Sequence, residues 1–338
     1  MFLDRNSFVV IKISETGIYK KGITMKKILK WTVLIILTIV GGIAIVTATS
    51  QHKKFTAPYP AIKATIDMAV IARGKHLVFD IAHCADCHSK ANVDSLMQLG
   101  QDVPLSGGKL FALPLGNIYT KNITPDKETG IGKFTDAEIA RILRYGVHRD
   151  GTAVFDFMPF HNISDEDMTA IISFLRTQKP VRNEVPKHEL NAIGKVVNAF
   201  MVKPVGPSED VPQKVTADTT AAYGRYLVHN LANCGGCHTK RDIKGKPIGE
   251  PFAGGSPIKK DGYPALTPPN LTPHPSSRIY GWTQDMFIKR FRMGEVTPHS
   301  EMPWNTFKRM KDDELKAIYK YLKTVKPAKT TAVEKTEA

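Results

Sequence analysis

The chain has 338 residues, a formal net charge of +15 and a hydrophobic content of 42%. This length exceeds one typical domain and suits two domains of about 100–150 residues each. The hydrophobic content is ordinary for a folded protein. No segment resembles a nucleic-acid-binding module, so the positive charge does not indicate a nucleic-acid partner. A basic excess of this kind fits attraction of an acidic protein partner, and it fits solubility alone equally well.

The first segment with a clear signature is an uncharged apolar stretch, Trp31–Gln51, which is long enough to cross a bilayer as a helix. Lysines precede it, so the positive-inside rule predicts a cytoplasmic N-terminus and places the rest of the chain outside. These lysines are Lys20, Lys21, Lys26, Lys27 and Lys30. We therefore expect residues 25–50 to be a transmembrane anchor. A cleaved signal peptide is the alternative, although its apolar core is usually shorter. Residues 1–24 are interpreted as a leader that a misplaced start codon would explain.

Every cysteine of the chain lies in one of two copies of a five-residue motif. The copies are Cys84-Ala-Asp-Cys87-His88 and Cys234-Gly-Gly-Cys237-His238. Cys-x-x-Cys-His is the attachment signature of c-type haem. Two thiols one helical turn apart add to the vinyl groups of one porphyrin, and the histidine that follows ligates the iron. The sequence therefore predicts two covalently attached haem c groups, with His88 and His238 as proximal ligands.

Other uses of paired cysteines explain the pattern less well. Zinc ribbons place their pairs about 15–20 residues apart, whereas the two copies here are far apart in the chain. A thioredoxin-like pair needs a βαβ context and has no use for the histidine that follows. Structural disulfides fit four cysteines, but they leave two histidines at the same offset without a role.

The second half of the chain repeats the first, with small changes in spacing that indicate loop deletions. Arg73-Gly74 matches Tyr223-Gly224, Asn122 matches Asn270, Gly146 matches Gly294, and Met158-Pro159 matches Met302-Pro303. This pattern predicts two copies of one domain and not a solenoid. The predicted order is a linker at 51–65, domain 1 at 66–180, a connector at 181–217, domain 2 at 218–327 and a tail at 328–338.

The predicted elements of each copy are helical, so we expect an all-α protein. A helix at Ile66–Ala82 leads into the first motif, and one at Ala221–Asn233 leads into the second. A capping box predicts a helix from Thr135 to Tyr145, which Thr283–Met293 matches. Each copy closes with an amphipathic helix, at Ser164–Thr177 and at Asp312–Thr324. A short helix is expected within Glu189–Val202 of the connector, and no strand is predicted.

Met158 and Met302 are the predicted distal iron ligands. Both precede a proline and an aromatic residue in a loop before the last helix of their copy. A thioether in that place stabilises ferrous iron and raises the reduction potential. Packing in the core is the alternative for any methionine, and it is the role that we expect for Met168, Met293 and Met310. Four histidines near these loops and motifs are weaker candidates: His83, His161, His229 and His299.

These residues resemble the class I cytochrome c family in its membrane-anchored bacterial form. The run from Asn122-Ile123-Thr124-Pro125 to Met158-Pro159 is similar to the cytochrome c subunits of alcohol, aldehyde and gluconate dehydrogenases, and the similarity extends from Ala72 to Thr324. The resemblance implies a tandem pair of cytochrome c domains behind a single-pass helix, with both domains on the periplasmic face of the cytoplasmic membrane. It implies that the motif cysteines hold the haems between His88 and Met158 and between His238 and Met302. Those subunits typically carry three haems, whereas this chain has two motifs.

The expected function is transfer of single electrons between a protein donor and a protein acceptor, and the chain itself is not expected to be an enzyme. One alternative is an electron-transfer subunit of a membrane-bound dehydrogenase or oxidase complex. Another is a dihaem peroxidase, which needs an iron with an open position. A methionine in each copy argues against an open position.

Overall fold

The computed structural model describes residues 25–242, 245–260 and 262–330, and about 41% of it is helical. The chain divides into two compact units, Met1–Thr49 and Ser50–Ala338. The predicted leader at 1–24 and most of the predicted tail lie outside the described residues. Within the first unit, the described part is one helix, α1 (Met25–Thr49), with no buried residue. It is long and apolar enough to cross a membrane, as its sequence predicted.

The second unit contains two successive sets of elements in the same order. In each set a helix passes through a short π-helix into a motif helix, a hairpin follows, and two longer helices close the set. Each set also has one extra short helix, before the hairpin in the first set and between the two closing helices in the second. The first set comprises α2 (Met68–His76), a π-helix (Leu77–Ile81), α3 (Cys84–His88), α4 (Val93–Gln98), β1 (Leu110–Leu113), β2 (Gly116–Tyr119), α5 (Asp136–Tyr145) and α6 (Asp165–Thr177). The connector holds β3 (Glu189–Leu190) and α7 (Ala192–Phe200). The second set comprises α8 (Ala221–Tyr226), a π-helix (Leu227–Leu231), α9 (Cys234–His238), β4 (Ile258–Lys260), β5 (Tyr263–Leu266), α10 (Gln284–Arg292), α11 (Trp304–Phe307) and α12 (Asp312–Thr324).

The helices begin and end at capping residues that can be recognised in the sequence. The Thr135 hydroxyl accepts a hydrogen bond from the Glu138 amide while the Glu138 carboxylate accepts one from the Thr135 amide, a complete capping box. Gly146 ends α5 with a φ of 60°, a conformation that glycine adopts without strain. The Ser164 and Thr283 hydroxyls cap α6 and α10 by accepting hydrogen bonds from the Asp167 and Met286 amides. The predicted helices of both copies and of the connector are thus confirmed, with ends within a few residues of the expected ones.

The prediction that the chain has no strands is wrong. β1 and β2 form an antiparallel hairpin to which β3 adds two residues, and β4 pairs with β5. These strands are two to four residues long, which is too short for an alternating apolar pattern to be recognised. Pairing in long loops satisfies backbone hydrogen bonds there and leaves the fold predominantly helical.

A glycine in each set allows the first helix to lie directly against the last. A Cβ atom added to Gly74 would lie 1.9 Å from the carbonyl oxygen of Ala170 in α6, and one added to Gly224 would lie 2.0 Å from that of Ala317 in α12. Any larger residue would force the paired helices apart. The matched Gly74 and Gly224 of the sequence repeat therefore serve the same packing contact.

Polar side chains join the two sets through matched contacts. His76 Nε2 lies 2.8 Å from a Glu314 carboxylate oxygen in α12, and the Tyr226 hydroxyl donates to Asp167 in α6 at 2.8 Å. His76 and Tyr226 occupy equivalent positions of the repeat, and so do Asp167 and Glu314. Arg73 lies in the same layer and pairs with Asp167 at 3.0 Å. The two sets thus meet through the same faces of their first and last helices.

Candidate haem-attachment sites

The chain enters each Cys-x-x-Cys-His helix by the same backbone path. A five-residue π-helix, Leu77–Ile81 or Leu227–Leu231, buries most of its side chains. The residue directly before each motif is left-handed, with φ of 42° at His83 and 50° at Asn233. π-helical turns inside α-helices occur frequently at functional sites. In both sets this sharp change of direction ends the leading helix and starts the motif helix.

The four cysteines form no disulfide. Burial, and then the negative charge of neighbouring groups, raises the pKa of the Cys84 thiol to about 12, and burial raises that of Cys234 to about 12 as well. Zinc ligation and thiol–disulfide exchange use thiolates, which a lowered pKa favours. In the part of the chain that the structure describes, no cluster of three or more His, Cys, Asp or Glu side chains could hold a metal ion. The surroundings of Cys84 and Cys234 therefore favour the neutral thiol.

The two motif histidines are oriented by matching hydrogen bonds. Nδ1 of His88 lies 2.7 Å from the carbonyl oxygen of Lys121, and Nδ1 of His238 lies 2.8 Å from that of Pro269. A carbonyl oxygen only accepts, so the proton is on Nδ1 and Nε2 is left with its lone pair. Burial lowers the pKa of both imidazoles, which favours the neutral form. A neutral imidazole with a lone pair on Nε2 is what an iron ligand requires, so both sites fit a haem.

Two asparagines hold the loops that supply these carbonyl groups. Asn122 donates to the carbonyl oxygen of Val181 at 2.8 Å and accepts from the Thr124 amide at 3.0 Å. Asn270 donates to that of Ala328 at 2.7 Å and accepts from the Thr272 amide at 2.7 Å. Both asparagines are buried. Sequence reasoning found the repeated Asn-x-Thr-Pro element but gave it no role. Its role is to position the residue before the asparagine, whose carbonyl group fixes the motif histidine.

A glycine amide holds the end of each motif helix. The amide of Gly107 donates to the carbonyl oxygen of His88 at 2.7 Å, and that of Gly254 donates to the carbonyl oxygen of His238 at 3.1 Å. Both glycines have positive φ, 68° and 106°, which a side chain would strain. Gly107 and Gly254 are thus part of the two sites.

Met158 and Met302 are partly buried, and both pack against the hydrophobic core. Each stands in the loop before the closing helix of its set, as the sequence predicted. Their assignment as distal ligands stays a prediction. Met168 and Met310 are fully buried packing residues, as expected, but Met293 is 57% exposed, so the packing role expected for it is wrong. Met293 directly follows Arg292, the last residue of α10, and its side chain is turned toward solvent.

The histidines near the sites have other partners. Both ring nitrogens of His161 are occupied, Nδ1 by the Arg144 carbonyl oxygen at 3.1 Å and Nε2 by Asp156 at 2.9 Å. Nε2 of His229 is 2.6 Å from the Tyr321 hydroxyl. His299 stacks on Tyr263 with ring centroids 3.2 Å apart. His83 packs edge-on against Phe307.

A basic groove lies beside the first site. Its volume is about 690 Å³, and Lys121, His148 and His188 line it together with several lysines. Burial and then the charges of Lys121 and His148 lower the pKa of His188 to about 4. At the positions equivalent to Lys121 and His148, the second set has Pro269 and Val296. The surroundings of the two sites therefore differ in charge, although the hydrogen bonds that orient their motif histidines match.

Comparison with known proteins finds a family match for the second set of elements. Residues 221–326 match the cytochrome c family and form a cytochrome c domain. The matched segment contains the second motif, its fixed histidine and Met302. The relationship to the cytochrome c family that the sequence implied is confirmed.

The chain is similar over most of its length to cytochrome c subunits of dehydrogenases. It is 28% identical to a fructose dehydrogenase cytochrome subunit of Gluconobacter japonicus, over 85% of this chain and 58% of that protein. It is 31% identical to the cytochrome c subunit of a quinone-dependent alcohol dehydrogenase of Gluconobacter oxydans, over 77% of this chain and 55% of that protein. It is 27% identical to a dihaem cytochrome c-type protein of Cereibacter sphaeroides, over 75% of this chain and 85% of that protein.

The chain thus spans little more than half the length of the dehydrogenase subunits that it matches. The expected likeness to the subunits of alcohol and gluconate dehydrogenases is confirmed.

Proposed function

We propose that this chain is a dihaem c-type cytochrome that serves as the electron-transfer subunit of a membrane-bound dehydrogenase. It is built as a tandem pair of class I cytochrome c domains. One observation carries the proposal: two Cys-x-x-Cys-His helices each end in a histidine whose Nδ1 is fixed by a backbone carbonyl, at 2.7 and 2.8 Å. Two structural disulfides would give neither histidine a role that needs this hydrogen bond, whereas an iron-ligating histidine uses it to keep its tautomer and orientation.

The residues have the following roles in the proposal. Cys84 and Cys87 hold one haem and Cys234 and Cys237 the other, with His88 and His238 as proximal ligands and Met158 and Met302 as distal ligands. When bound, haem c supplies reversible one-electron chemistry at its iron. The Lys121 and Pro269 carbonyl groups keep each imidazole in the ligating tautomer and orientation. Apolar side chains of the core, including the fully buried Leu77 and Leu227, exclude water from the attachment helices.

The proposed partners are a dehydrogenase catalytic subunit as electron donor and a second redox protein or a terminal oxidase as acceptor. The names of the relatives support the donor, because they describe cytochrome subunits of fructose, alcohol and gluconate dehydrogenases. The membrane anchor is α1, and the lysines before it support an outer, periplasmic position of the haem domains. In this arrangement the dehydrogenase catalytic subunit, and not this chain, performs the substrate chemistry.

The proposal is tested by optical and near-infrared spectra of the matured protein, together with its co-purification. We expect fully low-spin ferric haem with a methionine–iron charge-transfer band, and a dehydrogenase subunit that co-purifies from detergent-solubilised membranes. Reduction of the haem by that subunit's substrate would establish the donor. A high-spin fraction that disappears on addition of peroxide would contradict the carrier function and favour a peroxidase.

A further inference from the structure

Helix α7 of the connector has apolar side chains on the face that is exposed to solvent. Ile193, Val196 and Phe200 are three and four residues apart and therefore share one helix face. They are 64%, 39% and 44% exposed, and Met201 directly after the helix is 47% exposed. A surface helix of a globular protein normally turns such a face toward the core. In α7 the apolar face is turned away from the protein.

The opposite face of α7 is fixed against the protein and explains this orientation. Gly194 is buried, and a Cβ atom there would lie 2.0 Å from the Leu115 carbonyl oxygen. Asn191 caps the helix by accepting from the Gly194 amide at 2.9 Å and donates to the Pro114 carbonyl oxygen at 2.9 Å. A rotation that buried the apolar face would break this close contact with the β1–β2 turn. The packing of α7 against the β1–β2 turn therefore keeps its apolar face exposed.

Hydrogen bonds connect α7 to the residues that directly follow α1. The Gln51 side chain donates to the Lys195 carbonyl oxygen at 2.8 Å, and the Asn198 side chain donates to the Gln51 carbonyl oxygen at 3.2 Å. Gln51 comes two residues after Thr49, the last residue of α1. Two residues of extended chain reach at most about 7 Å. If α1 crosses a bilayer, Gln51 lies where the chain leaves it, and α7 is held at the same depth.

The charges beside α7 suit an anionic bilayer surface. The basic groove described above is lined by residues 50–53 on one side and by Lys195, Asn198 and Ala199 of α7 on the other. Its exposed cations are Lys53, Lys121, Arg149, Lys187 and Lys195. Lysines close to a membrane surface are attracted to anionic lipid headgroups, and interfacial helices combine such cations with an apolar face.

We infer that α7 is a second membrane contact, an interfacial helix that lies in the bilayer surface with Ile193, Val196 and Phe200 in the acyl-chain boundary. The inference rests on the proposed anchor α1 and adds to it. One spanning helix followed by a short link leaves a domain free to rotate. A second contact beside the link fixes which side of the haem domains faces the membrane.

Site-directed spin labelling of the full-length, haem-loaded protein in vesicles of phosphatidylethanolamine and phosphatidylglycerol tests the inference. Thioether bonds would consume all four native cysteines, so an introduced cysteine is the one reactive thiol. Labels are placed at Val196→Cys and Phe200→Cys. Met286→Cys in α10 is the matched control, since its side chain is similarly exposed, at 49%. Leu34→Cys reports on α1 itself.

We expect the labels at 196 and 200 to be several-fold more accessible to oxygen than to a water-soluble nickel chelate, as at position 34. Position 286 should show the reverse. If the label at 34 is in lipid but those at 196 and 200 are as accessible to the nickel chelate as 286, the inference is overturned and the anchor stands. If the label at 34 is also in water, both the proposed anchor and the inference are contradicted. Shielding of 196 and 200 only after addition of a dehydrogenase fraction would overturn the inference in favour of a protein partner.

Discussion

The two sites orient their motif histidines by matching hydrogen bonds and differ in the residues that cover them. At the first site, Asp86 of the motif accepts a hydrogen bond from Thr306 of α11 at 3.2 Å, and Arg309 pairs with Asp80 at 2.8 Å. The first motif thus lies against the second set of elements. The second motif has Gly235 and Gly236 between its cysteines, and Cys237 is exposed. The residues that match between the two sets thus fix the orientation of the motif histidines, whereas the residues that differ between them set exposure and charge.

Replacement of one methionine should have the largest effect, because it changes the spectrum of one haem and leaves the other unchanged. We expect Met158→Ala or Met302→Ala each to open one iron to carbon monoxide and to lower the potential of that haem, because the thioether that stabilises ferrous iron is lost. Carbon monoxide difference spectra should then show binding at about half of the haem. Met168→Leu, at a fully buried packing position, is the control and should bind none. Unchanged spectra in either alanine variant would assign the distal ligand to another residue.

The matched glycines should be equally intolerant of a side chain. Gly74→Val and Gly224→Val place atoms where a carbonyl oxygen already lies, so we expect each to lower the free energy of unfolding by about 3 kcal/mol or more. Denaturant unfolding followed by circular dichroism measures the change. Ala72→Val, at an exposed position of α2, is the control and should change it by less than about 1 kcal/mol. A tolerated valine at one glycine only would show that the two helix pairs do not pack alike.

The two buried carboxylates between the sets, Glu314 and Asp167, should contribute equally to the free energy of unfolding. Glu314→Gln removes the charge that faces His76 and Arg73, and Asp167→Asn removes the one that faces Arg73 and Tyr226. Each change should cost about 3 kcal/mol, because a buried cation loses its partner. The exposed Asp313→Asn serves as control and should cost about 0.5 kcal/mol or less in the same unfolding assay. A cost as small as the control for both acids would contradict the role given to this layer.

The equivalent positions His76 and Tyr226 should give the two halves different pH behaviour. Burial lowers the pKa of His76, but hydrogen bonds and the charges of Asp80 and Glu314 outweigh it and raise the pKa to about 9. The folded state therefore favours protonated His76, and the stability that it contributes is complete below about pH 6.5 and lost as pH rises toward 9. We expect unfolding free energy to fall by about 2 kcal/mol over this window. In His76→Gln the fall should be absent, and its persistence there would assign the effect to another group.

Much of the helical framework could be predicted because its signals are local. The capping box at Thr135, the terminating Gly146 and the motif cysteines each occupy a few adjacent residues. The carbonyl groups of Lys121 and Pro269 could not be assigned, since a backbone oxygen has no residue type and acts on a histidine more than 30 positions away. The hairpins escaped notice because their strands are short. The cross-set contacts of Arg73, His76 and Glu314 depend on tertiary packing that the repeat alone does not specify.

The central claim is that two haem groups are attached, one at each motif, and the intact mass of the matured protein measures this most directly. The account predicts the mass of the polypeptide plus two haem groups, with a loss of one in Cys234→Ala/Cys237→Ala and one in Cys84→Ala/Cys87→Ala. A mass equal to the polypeptide alone, or to the polypeptide with a single haem that persists in one of these variants, would contradict it.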